Sequence, residues 1–139
     1  MMKKYRLFIF DLDGVIFDTK SNMRASWNFV KKKYNLNIKF DDYFSLIGAP
    51  FNKILKRLKI TKNKNFIAQS YSLKSKQKIS LVKIYPGVQQ VLKEIKKSCK
   101  VAVVTSKDKR RTKIFLNKFN LTFDAVCCPQ KGLKGKPNP

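Results

Sequence analysis

Three short apolar runs, each passing directly into polar loop chemistry, constrain this chain more than any other feature. They cover residues 6–10, 101–104 and 125–128. Runs this short and this continuous, bounded by Asp, Thr or Pro, are what buried strands of a parallel sheet look like. Between the second and third runs, Thr112, Phe115, Leu116 and Phe119 recur at helical spacing, and Asp108 stands where it can cap that helix. Ahead of the second run comes a break at Tyr85-Pro86-Gly87. Val88, Val91, Leu92 and Ile95 then mark a further helix, with Pro86 suited to its first turn. Strands separated by helices predict an α/β fold, with a Rossmann-like parallel sheet joined by right-handed crossovers.

The long interval after the first run has a different rhythm. Met23, Trp27, Val30 and Tyr34 recur at helical spacing among lysines. Asp41 is placed to cap a short helix that stops at Gly48-Ala49-Pro50, and Phe51, Ile54, Leu55 and Leu58 share one face of the next. Residues 62–81 are polar, Lys-rich and helical in character. Nothing between Ser21 and Leu81 reads as a strand. The expected organisation is therefore a core of residues 1–18 and 85–139, with residues 19–84 as a helical insertion above the sheet.

Composition narrows the function classes. Hydrophobic residues make up 43% of the 139 and aromatics 12%, enough for a packed core. Against 32 Lys and Arg stand 8 Asp and Glu, a formal charge of +24 that attracts anions. The excess is scattered lysine without an arginine-rich motif, a zinc-finger pattern or an RNP-type pattern, which favours a solvated surface over a nucleic-acid site. With no His, a Cys/His zinc site and any His-based triad are excluded. The three cysteines, Cys99, Cys127 and Cys128, lack metal-ligand spacing and suit a reducing, cytoplasmic setting. Lys3, Lys4 and Arg6 precede an apolar run of only four residues, too short for a signal peptide, and no stretch approaches membrane-spanning length.

The chemistry is concentrated at Asp11-Leu12-Asp13-Gly14, directly after the first predicted strand. Ligands of parallel α/β sheets bind at the carboxyl ends of strands. Two carboxylates spaced i and i+2 there can divide two tasks. One attacks an electrophile and shares a hard cation, and the other moves a proton. Gly14 permits a turn that brings backbone N–H groups against a phosphate. Thr105 and Ser106 end the second strand and can hold phosphate oxygens. Lys136, in Gly135-Lys136-Pro137, follows the third and can neutralise phosphoryl charge. Each has a bland alternative: a turn, a helix cap, one solvated lysine among many. Their arrival in order, each after its own strand, weighs against coincidence.

This ordered set resembles the haloacid dehalogenase-like hydrolases, in particular their phosphoglycolate-phosphatase-like branch. The matching segments are Phe10-Asp11-Leu12-Asp13-Gly14-Val15, Val103-Val104-Thr105-Ser106-Lys107 and Gly135-Lys136-Pro137-Asn138-Pro139, with Tyr85-Pro86-Gly87-Val88 as the point of re-entry into the core. The resemblance implies Asp11 as nucleophile, Asp13 as general acid and base, and Lys136 as stabiliser of nucleophile and transition state. It implies Mg²⁺ on the Asp11 carboxylate and the Asp13 carbonyl, with Thr105, Ser106 and the Gly14 turn on the phosphate. The insertion would be a cap that selects the leaving group, with Lys53 or Arg57 near an anionic substrate. The expected partner is a small phosphorylated metabolite. Oligomeric state is left open.

The family's fourth, acidic motif has no counterpart before Pro139, and the strand that carries it would lie beside the first. The expectation is a C-terminally truncated core, an open edge on the first strand and a weakened magnesium site. An alternative is an impaired phosphatase-like chain whose basic surface holds nucleic acid or another polyanion. A phosphomutase is a third option.

Overall fold

The computed structural model describes residues 5–138. Lys3 and Lys4, and the Pro139 that closes the third motif, lie outside the described residues. The chain begins with β1 (Leu7–Phe10) and β2 (Phe17–Asp18), then enters four helices: α1 (Lys20–Lys33), α2 (Phe40–Phe44), α3 (Phe51–Arg57) and α4 (Lys64–Gln77). A single 3-10 turn (Ile79–Leu81) leads into β3 (Lys83–Ile84), α5 (Val88–Lys96), β4 (Lys100–Val104), α6 (Lys109–Lys118) and β5 (Ala125–Cys127).

The three predicted strands form one parallel sheet in the order β1-β4-β5, with Phe8 opposite Val101, Phe10 opposite Val103 and Val103 opposite Val126. On the face that carries Phe10 and Val103, α6 brings Phe115 and Leu116 into one buried cluster with Leu12, Ile16, Phe17 and Val82. The opposite face is different. Leu7 and Ile9 stay 49% and 59% exposed there, and Ala125 and Cys127 are exposed as well. This corrects the expectation that the first and third runs are buried on both faces; only β4 is. The reason is topological. β1 and β5 are the two edges of the sheet, and strand burial needs cover on both faces.

The helices α1–α4 build a second cluster of their own around Met23, Trp27, Val30, Tyr43, Ile54, Leu55, Ile67 and Tyr71. Trp27 lies flat on Tyr43, with ring centroids 4.3 Å apart and planes 7° apart. The fully buried Asn22 side chain donates to the carbonyls of Ser75 and Lys78 at 2.9 Å and accepts from the Ser75 hydroxyl, tying the start of α1 to the end of α4. Unpartnered, those buried groups would cost about 1–3 kcal/mol each. As expected, no strand occurs between Ser21 and Leu81 among the described residues.

Two short strands were invisible in the sequence. β2 and β3 pair antiparallel, Phe17 with Ile84 and Asp18 with Lys83, where the chain leaves and re-enters the sheet layer. Two residues are too few to show a period. Two caps are corrected. α2 starts after Lys39, so Asp41 lies inside its first turn without a capping bond. α5 starts after Gly87, whose φ of +81° suits a glycine, and Pro86 precedes that cap instead of entering the helix. Asp108 caps α6 as expected, accepting the Arg111 N–H at 2.9 Å. Among the described residues, no helix is long and apolar enough to cross a membrane.

Candidate active site

β1 ends at Phe10 and delivers Asp11 to the carboxyl end of the sheet. Beyond it the chain folds into a tight turn around the Leu12 carbonyl, which accepts the N–H groups of Ile16 and Phe17, each at 3.0 Å. The Gly14 N–H donates to the Phe17 carbonyl at 2.9 Å. Gly14 sits at φ +78°, in the left-handed region where a side chain is strained. Leu12 is wholly buried beneath the turn, so an apolar anchor sets the spacing of the two acids.

Each acid is held by its own cation. The Asp11 carboxylate accepts the Leu12 N–H at 2.7 Å through Oδ1, and its Oδ2 lies 3.2 Å from the Lys136 ammonium. Lys136 also donates to the carbonyl of Val104, the last residue of β4, at 2.8 Å. The third motif is thereby fastened to the strand between it and Asp11. Asp13 faces inward. Its Oδ1 is buried and lies 3.1 Å from the Lys107 ammonium, close enough for an ion pair though not aligned as a hydrogen bond.

Lys107 is the site residue that sequence reasoning missed. Its side chain is 3% exposed. The ammonium rests 4.5 Å from the centroid of the Phe115 ring, so an aromatic face and a carboxylate together hold a buried cation. Burial pulls its pKa below the ordinary 10.5, and the Asp13 carboxylate opposes that pull. The signal was faint: Lys107 directly follows Thr105-Ser106, but it is one of 32 Lys and Arg, and nothing in the sequence marks it as buried.

The remaining predicted residues fall around this pair. Thr105 is buried, and its Oγ1 accepts the Lys107 N–H at 3.1 Å, shaping the turn after β4. The Ser106 hydroxyl donates to the Gly48 carbonyl at 2.6 Å, which brings the Gly48-Ala49-Pro50 loop against the sheet layer. Pro50 meets the third motif too. A Cβ on Gly135 would lie 2.7 Å from the Pro50 Cγ, so only glycine fits there. Lys53 is half-buried and Arg57 exposed on α3; neither makes an ion pair with Asp11 or Asp13 among the described residues. A cavity of about 800 Å³ is lined by Tyr5, Arg6, Cys99 and Lys100, at the opposite end of the strands from Asp11. It is not where ligands of such sheets bind.

A hard divalent cation takes oxygen ligands, and Mg²⁺ commonly keeps several waters beside one or two protein carboxylates. The Asp11 carboxylate and the Asp13 carbonyl are donors of that type, and the carbonyl receives no hydrogen bond among the described residues. Also among the described residues, no group of three or more His, Cys, Asp or Glu side chains gathers. The donors fit magnesium in kind.

Asp108, at the cap of α6, makes stability depend on pH. Burial pushes its carboxyl up, but the Arg111 guanidinium and N–H outweigh that and hold it below the usual 3.8. A carboxyl depressed in the folded state contributes stability above its unfolded pKa and loses it as pH falls through the folded value. The Asp108→Asn variant is therefore expected to lose stability relative to the parent at pH 6, with the deficit shrinking at acid pH as the depressed Asp108 carboxyl is protonated. Urea midpoints under the two conditions check this; a deficit that does not shrink at acid pH would contradict it.

The sequence model of the haloacid dehalogenase-like hydrolases matches residues 8–139. The chain belongs to that family. Among its relatives, it is 28% identical over 139 residues to the phosphorylated carbohydrates phosphatase of Thermotoga maritima, covering 94% of this chain and 64% of that protein. It is 23% identical over 137 residues to the pyrophosphatase PpaX of Oceanobacillus iheyensis, covering 96% of this chain and again 64% of the relative. Among solved structures, a hydrolase from Pseudomonas syringae superposes with a TM-score of 0.81 at 20% identity, over 91% of this chain and 61% of the other. CbbY from Rhodobacter sphaeroides, solved in complex with phosphate, gives 0.80 at 14% identity, over 96% and 68%. These likenesses place the fold. The chain spans just under two thirds of the length of the curated relatives it matches.

Proposed function

We propose that this chain hydrolyses phosphomonoesters of small metabolites through a phosphoryl group carried on Asp11. The observation that carries the reading is the pairing of two acids, two residues apart, with two separate cations: Asp11 with Lys136 at 3.2 Å and Asp13 with Lys107 at 3.1 Å. Asp11, half-exposed, attacks phosphorus in line; the P–O bond to the alcohol breaks and Asp13 gives the departing oxygen its proton. Water then attacks the phosphoryl group on Asp11, Asp13 takes the proton from that water, and inorganic phosphate leaves with the Asp11 carboxylate restored. Lys136 offsets the charge that develops on the phosphoryl oxygens. The Gly14 N–H and the Ser106 hydroxyl already donate to the Phe17 and Gly48 carbonyls. The Thr105 hydroxyl and the N–H groups of Asp13 and Ser106, which donate to nothing else among the described residues, are therefore the groups that hold those oxygens. The Asp11 carboxylate and the Asp13 carbonyl would hold Mg²⁺, which would shield the carboxylate from the phosphate.

In this reading residues 1–18 and 85–139 are the catalytic core. Residues 19–84, which hold α1–α4, are a cap that selects the leaving group, with Lys53 as a candidate contact. Cys99, Cys127 and Cys128 are free thiols, which suits the reducing cytoplasm. Phosphate release from a panel of 2-phosphoglycolate, sugar phosphates, nucleotides and pyrophosphate tests the proposal. Release from a monoester is expected with millimolar magnesium and its loss on chelation. Release that chelation leaves unchanged would remove the metal's role, and a folded chain that releases phosphate from none of them would remove the function.

A further inference from the structure

Two of the contacts by which the segment after β4 grips the helical unit differ in kind, and the second has no part in the chemistry above. At the first, the Ser106 hydroxyl meets the Gly48 carbonyl. At the second, Arg111 of α6 reaches under α4. Its side chain is 9% exposed, and the guanidinium carbon lies 5.2 Å from the centroid of the Tyr71 ring. The Tyr71 hydroxyl in turn accepts a hydrogen bond from the Tyr43 hydroxyl at 2.7 Å, with both tyrosines buried. Tyr43 is clamped on its other face by Trp27. From Tyr43 the backbone runs by two turns to the site: the Leu46 N–H donates to the Tyr43 carbonyl and the Ile47 N–H to the Phe44 carbonyl, each at 3.1 Å. Gly48 and Pro50 follow, against Ser106 and Gly135.

We propose that Arg111 is a positioning residue: through Tyr71 and Tyr43 it fixes the Gly48-Ala49-Pro50 loop against Ser106 and Gly135. Relative strength favours Arg111 over Ser106 as the fixing contact. An exposed hydroxyl bond exchanges with water and holds weakly. A cation desolvated over an aromatic face holds more strongly. A purely local role for the guanidinium, as partner of Asp108, falls short. The Asp108 cap is already satisfied by the Arg111 backbone N–H and does not need the side chain to be buried under a helix of the other layer. The catalytic consequence rests on reading α1–α4 as a cap; the placement of the loop does not.

Hydrogen exchange followed by mass spectrometry on the full chain, with Arg111→Met and Arg111→Lys, tests the inference without requiring turnover. Met keeps most of the volume and removes the charge; Lys keeps the charge and loses the planar fork. Exchange in residues 45–51 is expected to rise about tenfold in Arg111→Met, with β4 protection unchanged and Arg111→Lys falling between the two. Exchange in residues 45–51 within about twofold of the parent would overturn it, as would an equal rise in β4, the mark of general loosening. If Arg111→Met does not fold, the Lys variant decides: local acceleration in residues 45–51 supports the proposal and parental exchange refutes it. A parent that releases no phosphate would defeat the proposed function and leave this result standing.

Discussion

Asp11→Asn is expected to lower phosphate release by about 10³-fold or more while leaving the fold intact, because the side chain keeps its shape and loses its nucleophile. The amide oxygen still accepts the Leu12 N–H that orients Asp11. Lys136 loses its carboxylate partner but keeps its bond to the Val104 carbonyl. Both members of that pair are about one-third exposed, so screening holds the stability cost of breaking it to less than about 1 kcal/mol. Large loss of activity with small loss of stability is thus the signature expected of Asp11, read from phosphate release beside a urea titration. A variant that turns over like the parent would remove Asp11 from the mechanism. One that unfolds would show that the pair with Lys136 is structural.

Phe115→Ala is expected to behave the opposite way, costing about 3–5 kcal/mol of stability and taking the site down with it. Phe115 is wholly buried and meets Phe17 edge-on at 6.1 Å inside the cluster that joins α6 to the sheet. Its ring also seats the Lys107 ammonium, so truncation opens a cavity beneath a buried charge. Domains of this size are stable by about 5–15 kcal/mol, which makes the loss a large fraction of the total. A urea midpoint shift matching less than about 1 kcal/mol would mean that the cluster can collapse around the gap, and that Lys107 needs no aromatic seat.

What could be read from the sequence follows from the length of each pattern. The helices carrying Trp27, Ile54 and Phe115 show their periods over about two to four turns, and each packs as its apolar stripe directs. The strand ends bearing Asp11 and Thr105 were equally legible, because a short apolar run stopped by polar residues locates the carboxyl edge of a sheet. The β2-β3 ribbon was not, since pairing Phe17 with Ile84 is a long-range event between two-residue segments. The exposure of Leu7 and Ile9 was not either. Their residue types specify a strand, and only the sheet order says which faces are covered. In the site, Asp11, Asp13 and Lys136 could be singled out by motif. Lys107 and Arg111 could not, because their burial beside Phe115 and Tyr71 is tertiary and their residue type is the commonest kind on this chain's surface.

The reading of Asp11 as a phosphoryl acceptor can be tested directly. The full chain would be incubated with acetyl phosphate and magnesium, quenched in acid, digested, and the peptide that begins β1 weighed, beside the same preparation of Asp11→Asn. The account predicts one added phosphoryl group on Asp11 in the parent and none in the variant. Phosphate release from the parent with that peptide unmodified, or with the phosphoryl group on another residue, would contradict it.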